Sequence, residues 1–177
     1  MLVRAVEVFV ANEQSDEEID LERIRMLAEE VLLRQEAPEP TEVSVICVDE
    51  ASMRSLSQRF LGIDEATDVL AFPIDGEVEE ETVETAPGGR VLWPEDGPVL
   101  LGDVVICPAV TRRYAEENQK SFQSEIDLVV VHGLLHLLGY DHATKDEEAV
   151  MNELQNALLD NFYSKLEEAS SESGAGT

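Results

Sequence analysis

The three histidines of this chain all fall within eleven residues, His132-Gly133-Leu134-Leu135-His136-Leu137-Leu138-Gly139-Tyr140-Asp141-His142. Just ahead of them Ile126, Leu128, Val129, Val130 and Val131 are apolar enough to carry a helix into a protein core. On that helix His132 and His136 stand four positions apart, on one face, with Cβ atoms about 5–6 Å from each other. Gly139 supplies a backbone free to leave the helix, and Tyr140-Asp141 lead the chain back so that His142 approaches the same face. A fold that accommodates this stretch has to bury a helix, end it at a glycine and bring three imidazoles together. Three nitrogen ligands with an open fourth position suit Zn2+ best, with nickel, cobalt and copper as alternatives.

The spacing is that of the metzincin signature H-E-x-x-H-x-x-G-x-x-H, with one exception. Its second position is Gly133. The glutamate that activates water for peptide hydrolysis is missing, so the sequence offers a metal site without the peptidase's general base.

At 177 residues, 44% of them apolar, the chain is long enough for one domain with a proper core and too short for two ordinary ones. No apolar run reaches the roughly 18 residues of a membrane span, and Arg4 and Glu7 interrupt the one N-terminal candidate for a signal segment. A cytoplasmic location is expected. Cys47 and Cys107 fall in strands that read as buried, where reduced cysteine behaves as a small hydrophobe. Neither their number nor their spacing suggests a secreted disulfide scaffold, although a bond between the two stays open. The formal charge of −27, from 39 acidic against 12 basic side chains, promotes solubility and argues against tight, unaided binding to a polyanion.

Along the chain, Val3–Val10 alternates as a strand, and Ser15-Asp16-Glu17-Glu18 has the form of a capping box. The helix after it runs to about Gln35 and is stopped by Pro38 and Pro40. Thr41–Val48 is a second strand, followed by a helix capped by Asp49, and Thr67–Pro73 is a third strand. The stretch 74–98, rich in glycine, proline and glutamate, reads as a mobile acidic loop. Val99–Cys107 is a long strand for the centre of the sheet, interrupted at Gly102-Asp103, and Pro108 opens another helix. Ser121–Leu138 is the histidine helix, and Val150, Met151, Leu154, Ala157 and Leu158 mark a closing one. The domain is expected to span 1–166, with a disordered small-residue tail over 167–177. The whole implies an α+β fold: a single domain with a mixed four-stranded sheet, about five helices, and a metal site at the end of a buried helix.

The run from His132 to His142, with Thr67-Asp-Val-Leu-Ala-Phe-Pro73 and Leu101-Gly-Asp-Val-Val-Ile-Cys107 upstream, resembles the YbeY family of bacterial ribosomal-RNA maturation endoribonucleases. The resemblance covers roughly Val3 to Leu159. It implies a zinc-dependent, cytoplasmic, single-strand-acting RNase in the 3′-end maturation of small-subunit ribosomal RNA, ribosome quality control and RNA turnover. Its partners would be ribosomal RNA, the small ribosomal subunit, and basic ribosomal proteins or assembly factors. His132, His136 and His142 correspond to the family's metal ligands. One position departs: many members carry an arginine six residues before the Thr-Asp-Val-Leu run, where this chain has Leu61. Arg59 is the nearest candidate cation, but two residues along a helix turn a side chain by about 200°. Arg54, Arg112 and Arg113 are further cations within reach.

Asp141 is a candidate general base, although the favoured reading is a hydrogen bond that orients a ligand histidine. Asp68 and Asp103 either line the groove beside the metal or serve a turn and a bulge. Tyr140 either stacks on a base or packs in the core, and Glu125, two helical turns before His132, reads as structural. Two other functions compete: a zinc peptidase, opposed by Gly133, and a non-catalytic ribosome-assembly factor with a structural zinc, for which a fourth ligand is lacking.

Overall fold

The computed structural model describes residues 6–37, 40–74 and 99–174. The start of the expected first strand, nearly all of the expected acidic loop and the last three residues lie outside them. Four strands and five helices follow in the order β1 (Val6–Glu13), α1 (Leu21–Arg34), β2 (Thr41–Val48), α2 (Glu50–Leu61), β3 (Val69–Pro73), β4 (Val99–Ile106), α3 (Pro108–Glu117), α4 (Phe122–Leu137) and α5 (Lys145–Gly174). The sheet has the order β1-β2-β4-β3, with the first three strands parallel and β3 antiparallel on the edge. This is the mixed α+β sheet that the sequence predicts, with β4 in the interior.

Alternation along the strands divides the side chains between two layers. Val6, Val8, Val43, Val45, Val104 and Ile106 meet the apolar faces of α1, α4 and α5 in one core. Val48, Val105 and Cys107 turn the other way, toward Met53 and Leu56 of α2 and Val110 of α3. Both cysteines are buried and free.

Three local expectations need correction. α1 starts at Leu21, because Asp20 is the residue whose side chain accepts the N–H of Arg23, at 3.0 Å. The Ser15 capping box does not form, and Gln14 instead accepts the N–H of Glu17 at 3.0 Å. The expected tail is helical as far as Gly174. It extends a helix already packed as far as Leu166, so it needs no nucleus of its own, and the hydroxyls of Ser170 and Ser171 bond back to the carbonyls of Leu166 and Glu168, each at 2.9 Å. Finally, β4 carries its irregularity at Leu101, the extra residue where the register against β2 passes from Leu100 to Gly102. Gly102 sits at φ +129°, and a Cβ there would lie 2.1 Å from the carbonyl oxygen of Phe72. The bulge therefore falls at Leu101, just ahead of Gly102-Asp103, and alternation past Val104 turns Asp103 to the α2 side of the sheet.

Candidate metal centre

α4 is anchored at its start by Ser121, whose hydroxyl accepts the N–H of Ser124 at 3.1 Å. At its end Gly139 takes φ +94°, the left-handed turn that releases the chain. The loop beyond is tied down residue by residue. Tyr140 donates its N–H to Leu135 at 3.0 Å and its hydroxyl to Gln35, at the end of α1, also at 3.0 Å. Asp141 accepts the N–H of His142 at 2.7 Å. Glu147 accepts the N–H groups of Ala143 and Thr144 at 3.1 and 3.2 Å, while Thr144 Oγ1 accepts the N–H of Glu147, a reciprocal cap that starts α5 just past His142.

This scaffold brings the three imidazoles together. Ring centroids lie 4.5 Å apart for His132 and His136, 5.1 Å for His136 and His142, and 5.7 Å for His132 and His142. One ligand nitrogen from each ring falls within 4.8 Å of the others. The Nε2 atoms of His132 and His136 are 3.0 Å apart. Nitrogens bound tetrahedrally to zinc at ~2.05 Å stand about 3.3 Å from one another, so the pair is close to ligation distance. His132 and His136 are half-buried and His142 is exposed. Burial, then the neighbouring His132 and His142, depresses the pKa of His136 against an opposing pull from Asp141, a shift toward the neutral form that a metal needs.

The sheet side of α4 explains the missing glutamate. A Cβ on Gly133 would lie 2.5 Å from Val104 Cγ1 and 3.2 Å from Val69 Cγ2. The second position of the motif thus faces the β3–β4 pair at closest approach, and a glutamate there would be driven into the sheet.

The other candidates disperse. Arg59 lies over the Phe60 ring, 5.4 Å from its centroid, and Phe60 meets Phe72 edge-on at 5.0 Å, on the α2 side of the sheet. The histidine helix covers the opposite side. Leu61 is exposed at the end of α2. Arg54, Arg112 and Arg113 are engaged in two-pronged ion pairs with Asp64, Glu17 and Glu50. The carbonyl of Asp68 accepts the Cys107 N–H at 2.8 Å, one rung beyond the Val69–Ile106 pair of the β3–β4 ladder, and its carboxylate accepts the hydroxyl of the adjacent Thr67 at 3.2 Å. Tyr140 packs against the core, and Glu125 pairs with Lys120 at 3.7 Å.

Sequence reading missed two residues. Gln155, on α5 and 5% exposed, accepts from Nδ1 of His132 at 2.7 Å. Its signal is a polar side chain four residues after Met151, within the buried stripe of α5. The other is Asp127, buried beneath Arg23, Gln123 and Tyr163. A lone carboxylate inside the apolar run before His132 is the mark it leaves in the sequence.

A mixed α+β sheet whose covering helix and exit turn gather three imidazoles defines a class of single-domain proteins built around a three-histidine cluster. Comparison with known proteins narrows the class. The family model described as endoribonuclease YbeY matches residues 9–163. The endoribonuclease YbeY of Rhodococcus opacus is 41% identical over 160 residues, covering 90% of this chain and 84% of the relative. That of Thermobifida fusca is 45% identical over 159 residues, covering 90% and 96%. A Thermotoga maritima protein solved in solution superposes with a TM-score of 0.59 at 28% identity, covering 96% of this chain and 99% of that one. The chain belongs to the YbeY endoribonuclease family.

Proposed function

We propose that this chain is a zinc-dependent endoribonuclease that cuts single-stranded ribosomal RNA in the maturation of the small-subunit 3′ end. The observation that carries this reading is the convergence of His132, His136 and His142 in a member of a family of endoribonucleases. Three imidazoles are a borderline-soft donor set, and no fourth histidine, cysteine or carboxylate joins them among the described residues. That is the ligand count of a catalytic rather than a structural zinc, and it opposes the assembly-factor reading. Gly133 opposes the peptidase reading.

When bound, such an ion supplies Lewis acidity at the scissile phosphate. The chain's own residues hold the site in shape: Asp141 fixes the backbone of His142, the Thr144–Glu147 cap fixes the turn beyond it, and Gln155 meets the outer nitrogen of His132. Asp141 thus serves the third ligand through its main chain, and Arg59 is left without a part at the histidines. The ion-paired arginines offer little to a phosphate chain, so targeting rests on the acidic surface docking to basic proteins of the small ribosomal subunit. No helix among the described residues is long and apolar enough to cross a membrane, and the expected place of work is the cytoplasm.

The test is to incubate the purified protein with ribosomal RNA and with casein, each with and without a chelator. Cleavage of RNA alone, lost with chelator and restored by zinc, is expected. Chelator-sensitive cleavage of casein alone would replace this reading with the peptidase one.

A further inference from the structure

Building on the metal reading above, we propose that Gln155, steadied by Asn152, is the positioning residue that holds the proton of His132 on Nδ1 and leaves Nε2 as a lone pair for the ion. The two neutral tautomers of an imidazole lie close enough in energy for a neighbour to choose between them, and at a metal site the choice decides which nitrogen can bind. Nδ1 of His132 lies 2.7 Å from Oε1 of Gln155. An amide oxygen only accepts, so this contact requires the proton on Nδ1.

The amide has a second orientation, with its NH2 group toward His132, which would force the proton onto Nε2 and aim it at His136 Nε2, 3.0 Å away. Asn152 meets the amide in the first orientation. Its Oδ1 accepts from Gln155 Nε2 at 3.2 Å, one turn back on α5. At 5% exposure Gln155 has little water at hand to replace either bond. The two side chains form a short relay from the α5 surface to the first ligand, and each is matched to the next as donor or acceptor. Because α5 also packs on α1 and α4 through Met151, Leu158 and Phe162, the position of this amide is set by the core.

The proposal is tested on the full chain by long-range 1H–15N spectra of the imidazoles in metal-free protein, at a pH where the rings are neutral, and by zinc affinity from chelator competition. In the wild type His132 is expected to carry its proton on Nδ1. Gln155→Leu, which removes the acceptor at similar volume, is expected to shift His132 toward the Nε2–H form and weaken zinc binding by about 10–100-fold. Gln155→Glu, which restores an acceptor, is expected to recover both, and Asn152→Ala to weaken binding by a smaller factor. Failure of the wild type to bind zinc overturns the metal reading on which the proposal rests. A wild type that binds zinc but carries the His132 proton on Nε2 before loading overturns the role of Gln155 alone, and this needs no variant to fold. Unchanged affinity and tautomer in Gln155→Leu does the same.

Discussion

Arg23 of α1 clasps Asp127 of α4 through two hydrogen bonds, Nε to Oδ1 at 3.1 Å and Nη2 to Oδ2 at 2.8 Å. Gln123 and the Tyr163 hydroxyl, each at 3.0 Å, satisfy the rest of the carboxylate. One buried side chain thus joins α1, α4 and α5, five residues before the first histidine.

Asp127→Ala is therefore expected to destabilise the fold by about 3 kcal/mol. That is the low end for breaking a buried pair, because Arg23 keeps 24% of its side chain exposed. Urea unfolding followed by far-UV circular dichroism checks it. A loss under about 1 kcal/mol, the range of surface pairs, would mean that the pair is ornamental.

Histidine-to-alanine changes at 132, 136 and 142 are each expected to abolish both bound zinc and RNA cleavage. Asp141→Asn is expected to keep most of both, since the amide retains an oxygen for the His142 N–H. Elemental analysis alongside an RNA cleavage assay reads the two together. Full metal content in His142→Ala would remove it from the ligand set.

Burial, with Cys107 adding to it, pushes the Cys47 thiol up to about 11. An unfolded thiol ionises near 8.5, so the folded value is the raised one. The stability linked to this group is complete below the unfolded value and is lost as pH rises through the folded one. Cys47 is expected to resist a thiol reagent at mildly alkaline pH until denaturant is added. Between neutrality and roughly pH 11 the wild type should lose more stability than Cys47→Ala. Parallel loss in the two proteins would show that the thiol is not responsible.

Arg54, Arg112 and Arg113 already have carboxylate partners, so RNA gains few counterion-releasing contacts from them. Binding by the isolated protein is expected to be weak, with a salt slope of magnitude under about 2, the value for three single-strand phosphates. Adding small ribosomal subunits should strengthen it. A steep slope without them would reveal a basic groove.

The elements whose signals are local were legible in the sequence. Thr41–Val48 alternates and is β2 to the residue, Pro108 opens α3, and the histidine spacing announced the cluster because all of it lies on one helix and one turn. What stayed hidden depends on partners far along the chain. Gln155 meets His132 across 23 positions, and Asp127 meets Arg23 across 104. The start of α1 was misplaced because Asp20 caps it with Arg23, not Glu or Gln, at the third helical position. Arg54, Arg112 and Arg113 looked available because nothing local reveals that Asp64, Glu17 and Glu50 take them.

At Gly133 the backbone of α4 rests against Val104 and Val69 with no side chain between. A helix bearing this ligand spacing can lie flush on its sheet, or it can stand a side chain's width away and lodge a carboxylate beside the ion, but one position cannot serve both ends. The divide between this chain and a metzincin-like peptidase is then steric before it is chemical. Passage from one to the other must first make room on the sheet, at Val104 and Val69, before a carboxylate at this position has anywhere to go.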